Sequence, residues 1–313
     1  MGSSNIFDAS AFQGKHRKRK YFEGWYIRVS DDSNWSFALI PGMSIDRFGV
    51  RTAFLQWIES DGSSHYFTYP NEEFYASDSE FDVRIGPNRF SKNHITIDLQ
   101  NRGVLFSANL HLEPSPLFSE DYHPLNVMGL LSKAPFLPCY HHIIQMGAKA
   151  EGSVRWKGEQ RTLNKSVIYI EKDWGTSFPK RWNWLQSLKF ENHLGSLSAV
   201  TSSVPFLGIP VPAGMAALEL DNHRFFWSSA WGHSWKSSWK DQILELSFKN
   251  SKHSLHLSIQ ANGYAPLIAP VQGEMKRTIN ESLNGVITLK VLDSKGNIIL
   301  ADRALQSGVE VVR

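Results

Sequence analysis

The chain has 313 residues, of which 42% are hydrophobic and 20% charged. That is the balance of a soluble globular protein with room for two cores of about 150 residues each. A net charge of +3 is too small to imply nucleic acid, and Cys139, the single cysteine, excludes an internal disulfide and fits a reducing compartment. With no apolar leader and no run near the roughly 20 apolar residues that span a bilayer, the chain reads as soluble and cytoplasmic.

In chain order, the first feature is a basic run, Lys15–Lys20. It is either a solvated lead-in to the first strand or a surface that touches anionic lipid transiently. Tyr21-Phe22-Glu23-Gly24-Trp25-Tyr26 follows. With Gly24–Val29 as a strand, Trp25, Ile27 and Val29 share one face, and Glu23 joins them near the inner rim. Val83 and Ile85 alternate, as do Val104, Phe106, Ala108, Leu110 and Leu112, the mark of half-buried strands. Residues 114–138 carry five prolines and predict an irregular, ordered crossing. Further on, Leu244, Leu246 and Phe248 alternate, then Leu255, Leu257 and Ile259. Turn signals stand at Asp61-Gly62, Asn262-Gly263, Asn284-Gly285 and Lys295-Gly296-Asn297, and a second Pro-rich stretch runs from Val204 to Pro212. No long segment repeats at the helical period, so helices are few and short. Eleven Trp and nineteen Phe favour barrels with a cavity. Gly175 and Pro179 interrupt the pattern and divide the chain into 1–178 and 179–313.

Three strings carry candidate chemistry. In Tyr169-Ile170-Glu171-Lys172-Asp173-Trp174-Gly175, Glu171 and Asp173 share a strand face about 7 Å apart, and Lys172 points away. One of the two can stay protonated through burial and its neighbour's charge, as a general acid needs. The competing reading is a salt-bridged pair at the domain junction, with Arg181 or Lys180 as partner. Glu23 is alternatively a structural carboxylate. In Cys139-Tyr140-His141-His142 the histidines face opposite ways, so one at most enters a cavity, as a proton relay or as a satisfied structural group. Trp182-Asn183-Trp184 puts two indoles on one face, as core or as a cation-stabilising wall. No HExxH, cysteine pair, GxGxxG, P-loop or GxSxG string occurs, so neither a metal nor another cofactor is implied.

Together these strings resemble the tocopherol cyclase-like family. The matching residues are Tyr21–Tyr26, Cys139-Tyr140-His141, Tyr169–Gly175, Ser177-Phe178-Pro179 and Trp182-Asn183-Trp184-Leu185-Gln186. Plant-type members have Asn at the place of Asp173, and bacterial relatives commonly have Glu at the place of Pro138. A fainter likeness links Glu171–Gly175 to the carotenoid 1,2-hydratase and AttH-like group. The resemblance implies an all-β chain of two lipocalin-like β-barrel domains. It also implies an intramolecular lyase or isomerase activity without a cofactor: acid-catalysed cyclisation of a prenylated hydroquinone, or a similar apolar molecule, to a chromanol-type product. Asp173 or Glu171 would carry the proton, Glu23 or His141 would orient it, and Trp25, Tyr140, Trp174, Trp182 and Trp184 would line the substrate. The alternatives are a lipocalin-like carrier without chemistry, a hydratase of isoprenoid alkenes, and a scaffold steering another cyclisation. The partner in each case is a hydrophobic small molecule.

Overall fold

In a computed structural model the structure describes residues 9–31, 35–113, 115, 127–128, 137–206, 209–221 and 223–313. They are almost wholly strand, with only three-residue 3-10 turns among them as helix. The first sheet contains β1 (Tyr21–Ser30), β2 (Ser36–Ile45), β3 (Arg51–Glu59), β4 (Ser64–Pro70), β5 (Phe74–Ala76), β6 (Asp82–Ile85), β7 (Asn88–Ser91), β8 (His94–Asp98), β9 (Phe106–Glu113), β10 (Cys139–Trp156) and β11 (Glu159–Gly175). Its order is β4-β3-β2-β1-β11-β10-β9-β8-β7-β6-β5, a nearly closed barrel whose edges are consecutive in the chain. The second sheet contains β12 (Trp182–Ser187), β13 (Gly195–Phe206), β14 (Ile209–Leu220), β15 (His223–Ser228), β16 (Ser234–Lys240), β17 (Ile243–Lys249), β18 (His253–Gln260), β19 (Tyr264–Val271), β20 (Glu274–Asp293) and β21 (Ile298–Val312). Its order is β15-β14-β13-β12-β21-β20-β18-β17-β16, with β19 paired to β20 off that path. The chain is an all-β protein of two lipocalin-like sheets.

The alternation in the sequence is what builds these strands, and most of the turn signals act as turns. Gly62, Gly263 and Gly296 all have positive φ. Asn284-Gly285 does not turn. It lies inside the 20-residue β20, where the register with β21 slips between Ser282 and Gly285. A Cβ on Gly285 would stand 2.5 Å from the Val309 side chain, so the glycine marks a bulge rather than a hairpin. In the Pro-rich stretch 204–212 the described residues are strand. Its backbone pairs from Val204↔Val211 to Phe206↔Ile209 across the β13–β14 hairpin. The expected crossing over 114–138 lies outside the described residues apart from Ser115, Val127, Met128, Leu137 and Pro138.

Three of the four apolar clusters among the described residues follow from which strand face meets what. Trp25, Phe37, Trp57, Phe106 and Trp156 fill the first barrel, with the Trp57 and Phe106 rings 4.0 Å apart. Leu197, Leu218, Trp227, Phe248, Leu257 and Leu289 fill the inner side of the second sheet. A third cluster joins them. Tyr26, Ala38, Ile143, Met146 and Tyr169 of the first barrel pack on Trp182, Trp184, Met215, Leu267 and Ile279 of the second. Burying side chains of this size contributes roughly 1.5–3 kcal/mol each. The outer face of β1 is therefore as dry as its inner face, which is why nearly all ten residues of β1 are buried. The reading that the aromatic residues enclose a cavity inside a barrel is corrected here: they fill the barrel, and the open space lies between the two sheets.

Candidate active site

The register of three adjacent strands sets the site. Gly42, Gly24, Asp173 and His141 stand in one row across β2, β1, β11 and β10. Tyr26, Glu171 and Ile143 form the next row on the same face. Two glycines beside Asp173 leave a hollow there. The ring of Phe54 covers Gly42, where a Cβ would stand 2.4 Å from it. The register depends on how β11 ends. Gly175 has φ +148°, and a Cβ there would lie 2.3 Å from the Pro138 carbonyl oxygen. That oxygen accepts from the N–H groups of Thr176 and Ser177 at 2.8 and 3.0 Å. Pro138 and Gly175 thus tie the start of β10 to the end of β11 and place His141 opposite Asp173.

A cavity of about 180 Å³ opens over this face. The first barrel contributes Phe22, Gly24, Tyr26, Ile40, Phe54, Cys139, His141, Glu171 and Asp173 to it, and the second sheet contributes Trp182, Trp184, Val200, Met215, Leu267, Ile279 and Glu310. Phe178 bridges the two, with edge-to-face contacts to Phe22 at 5.3 Å and Trp182 at 5.5 Å. A mostly apolar concavity with a few convergent polar groups is the general form of a small-molecule site.

Those polar groups are a linked set of acids. His141 Nδ1 lies 3.0 Å from Asp173 Oδ1, and its Nε2 lies 3.8 Å from Glu171 Oε2. Glu171 Oε2 accepts from the Tyr169 hydroxyl at 2.5 Å and from Trp184 Nε1 at 3.0 Å. Burial raises the Glu171 carboxyl. The His141 charge and the Tyr169 and Trp184 bonds pull it back, Asp173 pushes it up, and it settles at about 7. Burial pushes the His141 imidazolium down, but the charges of Asp173 and Glu171 and the Asp173 hydrogen bond outweigh it and lift it to about 9. At neutral pH the site therefore holds a charged imidazole hydrogen-bonded to Asp173, next to a Glu171 carboxyl that still keeps its proton for much of the time.

The second sheet adds two glutamates. Glu281 and Glu310 are directly opposite each other on β20 and β21, and Trp184 stands beside Glu310 on β12. Like charges at such a position repel. Glu281 Oε1 accepts from the Tyr26 hydroxyl at 2.5 Å, and Glu310 Oε2 accepts from Trp182 Nε1 at 2.6 Å. Burial raises Glu281 to about 8 against the pull of Tyr26 and Arg28. Burial and then the Glu281 charge raise Glu310 well above the ordinary carboxyl range. The cations these acids feel are His141 and the buried Arg28. With His141 and Arg28 as the cations beside them, burial in this dry interface holds Glu281 and Glu310 toward the protonated form. Each indole of Trp182-Asn183-Trp184 thus holds one buried acid, while Asn183 turns away to Thr201 at 2.9 Å.

Of the residues expected to act, Asp173, Glu171 and His141 come together, and Trp182 and Trp184 line the cavity. The cation beside the acids is His141; Lys180 and Arg181 are exposed. Glu23, Trp25, Tyr140 and Trp174 lie elsewhere. Glu23 faces the barrel side of β1, where it meets Lys172 Nζ at 2.6 Å, with both side chains wholly buried. It also accepts from Tyr21 Oη at 2.6 Å and from the Gln13 N–H. Glu23 therefore orients nothing in the cavity. Trp25 is in the barrel core, and Tyr140 stacks on Trp174 at 5.4 Å on the same side as Glu23. The physical reason is parity: residues 23, 25, 172 and 174 share the inner face, and the cavity lies on the outer one. Glu281 and Glu310 escaped the sequence reading. Their signal was a carboxylate on an apolar face, between Ile279 and Leu283 in one case and within Val309–Val312 in the other.

His141, Glu171 and Asp173 also offer one ligand atom each within 4.8 Å of one another. No linear spacing showed this, because the register of β10 on β11 assembles it. A cation held there would compete with the proton on His141, because an imidazole nitrogen gives up its proton to the metal it binds.

The family model described as tocopherol cyclase-like matches residues 107–312. The chain belongs to the tocopherol cyclase-like family. The match contains His141, Glu171, Asp173, Trp182, Trp184, Glu281 and Glu310, and leaves β1 outside. Among curated relatives, a chloroplastic tocopherol cyclase of Zea mays is 31% identical over 74 residues, which are 24% of this chain and 16% of that protein. The likeness thus covers a small part of that relative's length. Among solved structures, one assigned to AttH of Nitrosomonas europaea aligns with 93% of this chain and 93% of its own, with TM-score 0.54 and 12% identity. That agreement is one of fold. Kievitone hydratase of Nectria haematococca aligns at TM-score 0.45 and 12% identity, over 93% of this chain and 88% of that one.

Proposed function

We propose that the protein is an acid-catalysed cyclase of a prenylated hydroquinone or a similar apolar substrate, with Glu171 as the proton donor. The observation that carries this reading is a carboxyl kept at about pKa 7 in an apolar cavity, beside a cation and two fixed hydrogen-bond donors. Glu171 passes its proton to one alkene carbon of the tail, a C–H bond forms from the π pair, and a tertiary cation remains. The phenol oxygen closes on that cation, and the phenol proton returns to the carboxylate. The product is an isomer of the substrate, so the chemistry balances without a redox partner.

The chain's own groups serve each step. After donation the Glu171 carboxylate is held by Trp184 Nε1, by the Tyr169 hydroxyl and by the His141 charge. Asp173 fixes His141 in the charged form. Tyr26 and Trp184, whose rings meet edge to face at 4.9 Å, present π density to the cation. Trp182 holds Glu310 as a second, neutral acid at the opposite wall. An apolar cavity of roughly 150 Å³ takes a benzene. One of about 180 Å³ takes the hydroquinone ring and the reacting end of the tail, and the rest of a long tail leaves through the mouth.

Purified protein incubated with a panel of prenylated hydroquinones, without added nucleotide or metal, tests this. The expected product has the mass of the substrate and a chromanol spectrum. A mass gain of one water would move the reading to a hydratase, and tight binding without turnover across the panel would move it to a carrier.

A further inference from the structure

Lys15–Lys20 are all exposed. The fold lays this run against the hairpin between β2 and β3. Arg51 Nη2 donates to the Arg17 carbonyl at 2.6 Å, and the Lys20 N–H donates to the Asp46 carbonyl at 2.9 Å. Gly49 passes so near that a Cβ on it would stand 3.1 Å from the Lys18 carbonyl oxygen. The hairpin tip carries Phe48, 78% exposed, and Val50, 59% exposed. The guanidinium of Arg47 lies 4.7 Å from the Phe48 ring centre.

A single exposed Phe is ordinary. Here it stands with Val50 among seven cations: Lys15, Arg17, Lys18, Arg19, Lys20, Arg47 and Arg51. Three carboxylates accompany them. Asp46 caps the hairpin through its bonds to Phe48 and Val50 N–H, Asp78 pairs with Lys15, and Glu274 lies 3.8 Å from Arg47. The local excess of four positive charges exceeds the +3 of the whole chain, so the remainder of the protein is slightly acidic and the basic character is concentrated at this end.

The patch also borders the cavity. The turn between β19 and β20 packs on it: a Cβ on Gly273 would stand 2.1 Å from the Ile45 carbonyl oxygen and 2.4 Å from Tyr21 N. Pro270 and Met275, on either side of that turn, line the cavity together with Phe22.

We propose that the Lys15–Lys20 run and the Arg47–Arg51 hairpin form a docking surface for an anionic lipid bilayer. Phe48 and Val50 enter the boundary between headgroups and acyl chains, and the surrounding cations meet the lipid phosphates. The cavity end at Phe22, Pro270 and Met275 then lies next to the bilayer, where apolar molecules partition. The two apolar side chains favour a bilayer over a nucleic acid, whose phosphates would use the cations and leave Phe48 and Val50 in water.

The test is sedimentation of the 313-residue chain with vesicles of phosphatidylcholine alone or enriched in phosphatidylglycerol, and it does not depend on turnover. The account expects binding to the anionic vesicles, little to the neutral ones, and loss in high salt as exposed charges are screened. Phe48→Ser/Val50→Ser should weaken binding about tenfold or more, as should Arg17→Glu/Arg19→Glu. All four side chains are on the surface, and circular dichroism verifies that the variants fold. Phe48→Trp should shift its fluorescence to the blue on anionic vesicles. Equal binding to both vesicle types, no binding to anionic vesicles at low salt, or wild-type binding by Phe48→Ser/Val50→Ser would overturn the proposal. Tight binding of a single-stranded RNA oligonucleotide that survives the loss of Phe48 and Val50 would overturn it in favour of a nucleic-acid surface.

Discussion

Replacing Lys172 with Met separates the two acid clusters of this chain by what each does. The Lys172 ammonium meets Glu23 at 2.6 Å with both groups wholly buried. It also donates to the Ala9 and Ala11 carbonyls and lies 4.6 Å from the Trp174 ring and 5.4 Å from that of Trp25. Methionine keeps the apolar stem and removes the charge. Glu23 would then keep the Tyr21 hydroxyl and the Gln13 N–H but lose its counter-ion, and leaving a buried charge uncompensated costs about 3–5 kcal/mol. The assay is urea unfolding followed by tryptophan fluorescence. Lys172→Met should lower the unfolding free energy by that amount. Lys172→Met/Glu23→Gln should recover at least half of the loss, since the neutral amide needs no partner charge. Turnover per folded molecule should not change in either variant, because residues 23 and 172 face the barrel and the cavity is on the other side of the sheet. A loss below about 1 kcal/mol would show that the pair is wetter than its geometry says. Loss of turnover without loss of stability would show that Glu23 acts in the chemistry after all.

Asp173→Asn should lower turnover near pH 8 by about tenfold without abolishing it, because the amide oxygen still holds His141 Nδ1–H but no longer sustains its charge; rates measured across pH check this, and complete loss in a folded variant would make Asp173 the donor. Stability should fall as pH rises. Glu171, Glu281 and His141 hold their protons in the fold to about 7, 8 and 9 against ordinary values of 4.5, 4.5 and 6.5, and Glu310 is raised as well. The folded chain therefore binds more protons than the unfolded one, and stability present on the acid side is lost from about pH 4.5 upward through those values. Asp61 and Asp302, held below the ordinary carboxyl range, act only at lower pH, where their contribution is lost. Thermal unfolding should accordingly be highest near about pH 4–5 and lower at about pH 9, and a flat or rising profile would contradict the buried-acid interface. Gly175→Ala should disturb the register of β10 on β11 and cost about 1–3 kcal/mol, seen as a lower unfolding midpoint, and an unchanged midpoint would show that the Pro138 approach has room to yield.

Strand parity made part of this site readable in advance. Period-two patterning alone puts Glu171 and Asp173 on one face with Lys172 on the other, and sends His141 with Cys139 and His142 away. Parity cannot say what covers a face. Glu23 and Trp25 sit on the barrel side, and only the packing of the second sheet on β1 and β11 makes the opposite side the reactive one. The sequence offers His141 and Glu23 alike as the group that orients Asp173 or Glu171, and the strand register decides between them. His141 reaches Asp173 through a strand register that depends on irregularities between Ile143 and Gln145 and on the Pro138–Gly175 contact, and neither has a linear signature. Glu281 and Glu310 lie 110 and 139 positions beyond Glu171 and become its neighbours only through the interface. The prolines of Val204–Pro212 do not announce strand, yet the described part of that stretch continues β13 and β14, with Pro205 opposite Pro210.

The most direct test of the account is the pH–rate profile of wild type beside Glu171→Gln, with a prenylated hydroquinone that the wild type converts. Glutamine keeps the size of Glu171 and its acceptor for Trp184 Nε1 and removes the proton. The account predicts that the wild-type rate is greatest on the acid side and falls as pH rises through about 7, the value at which Glu171 gives up its proton. The variant should lose about 10²–10⁴ in rate, and that descending limb should vanish, while substrate binding persists. A Glu171→Gln variant that turns over at the wild-type rate with the same profile would contradict the assignment of Glu171 as the acid.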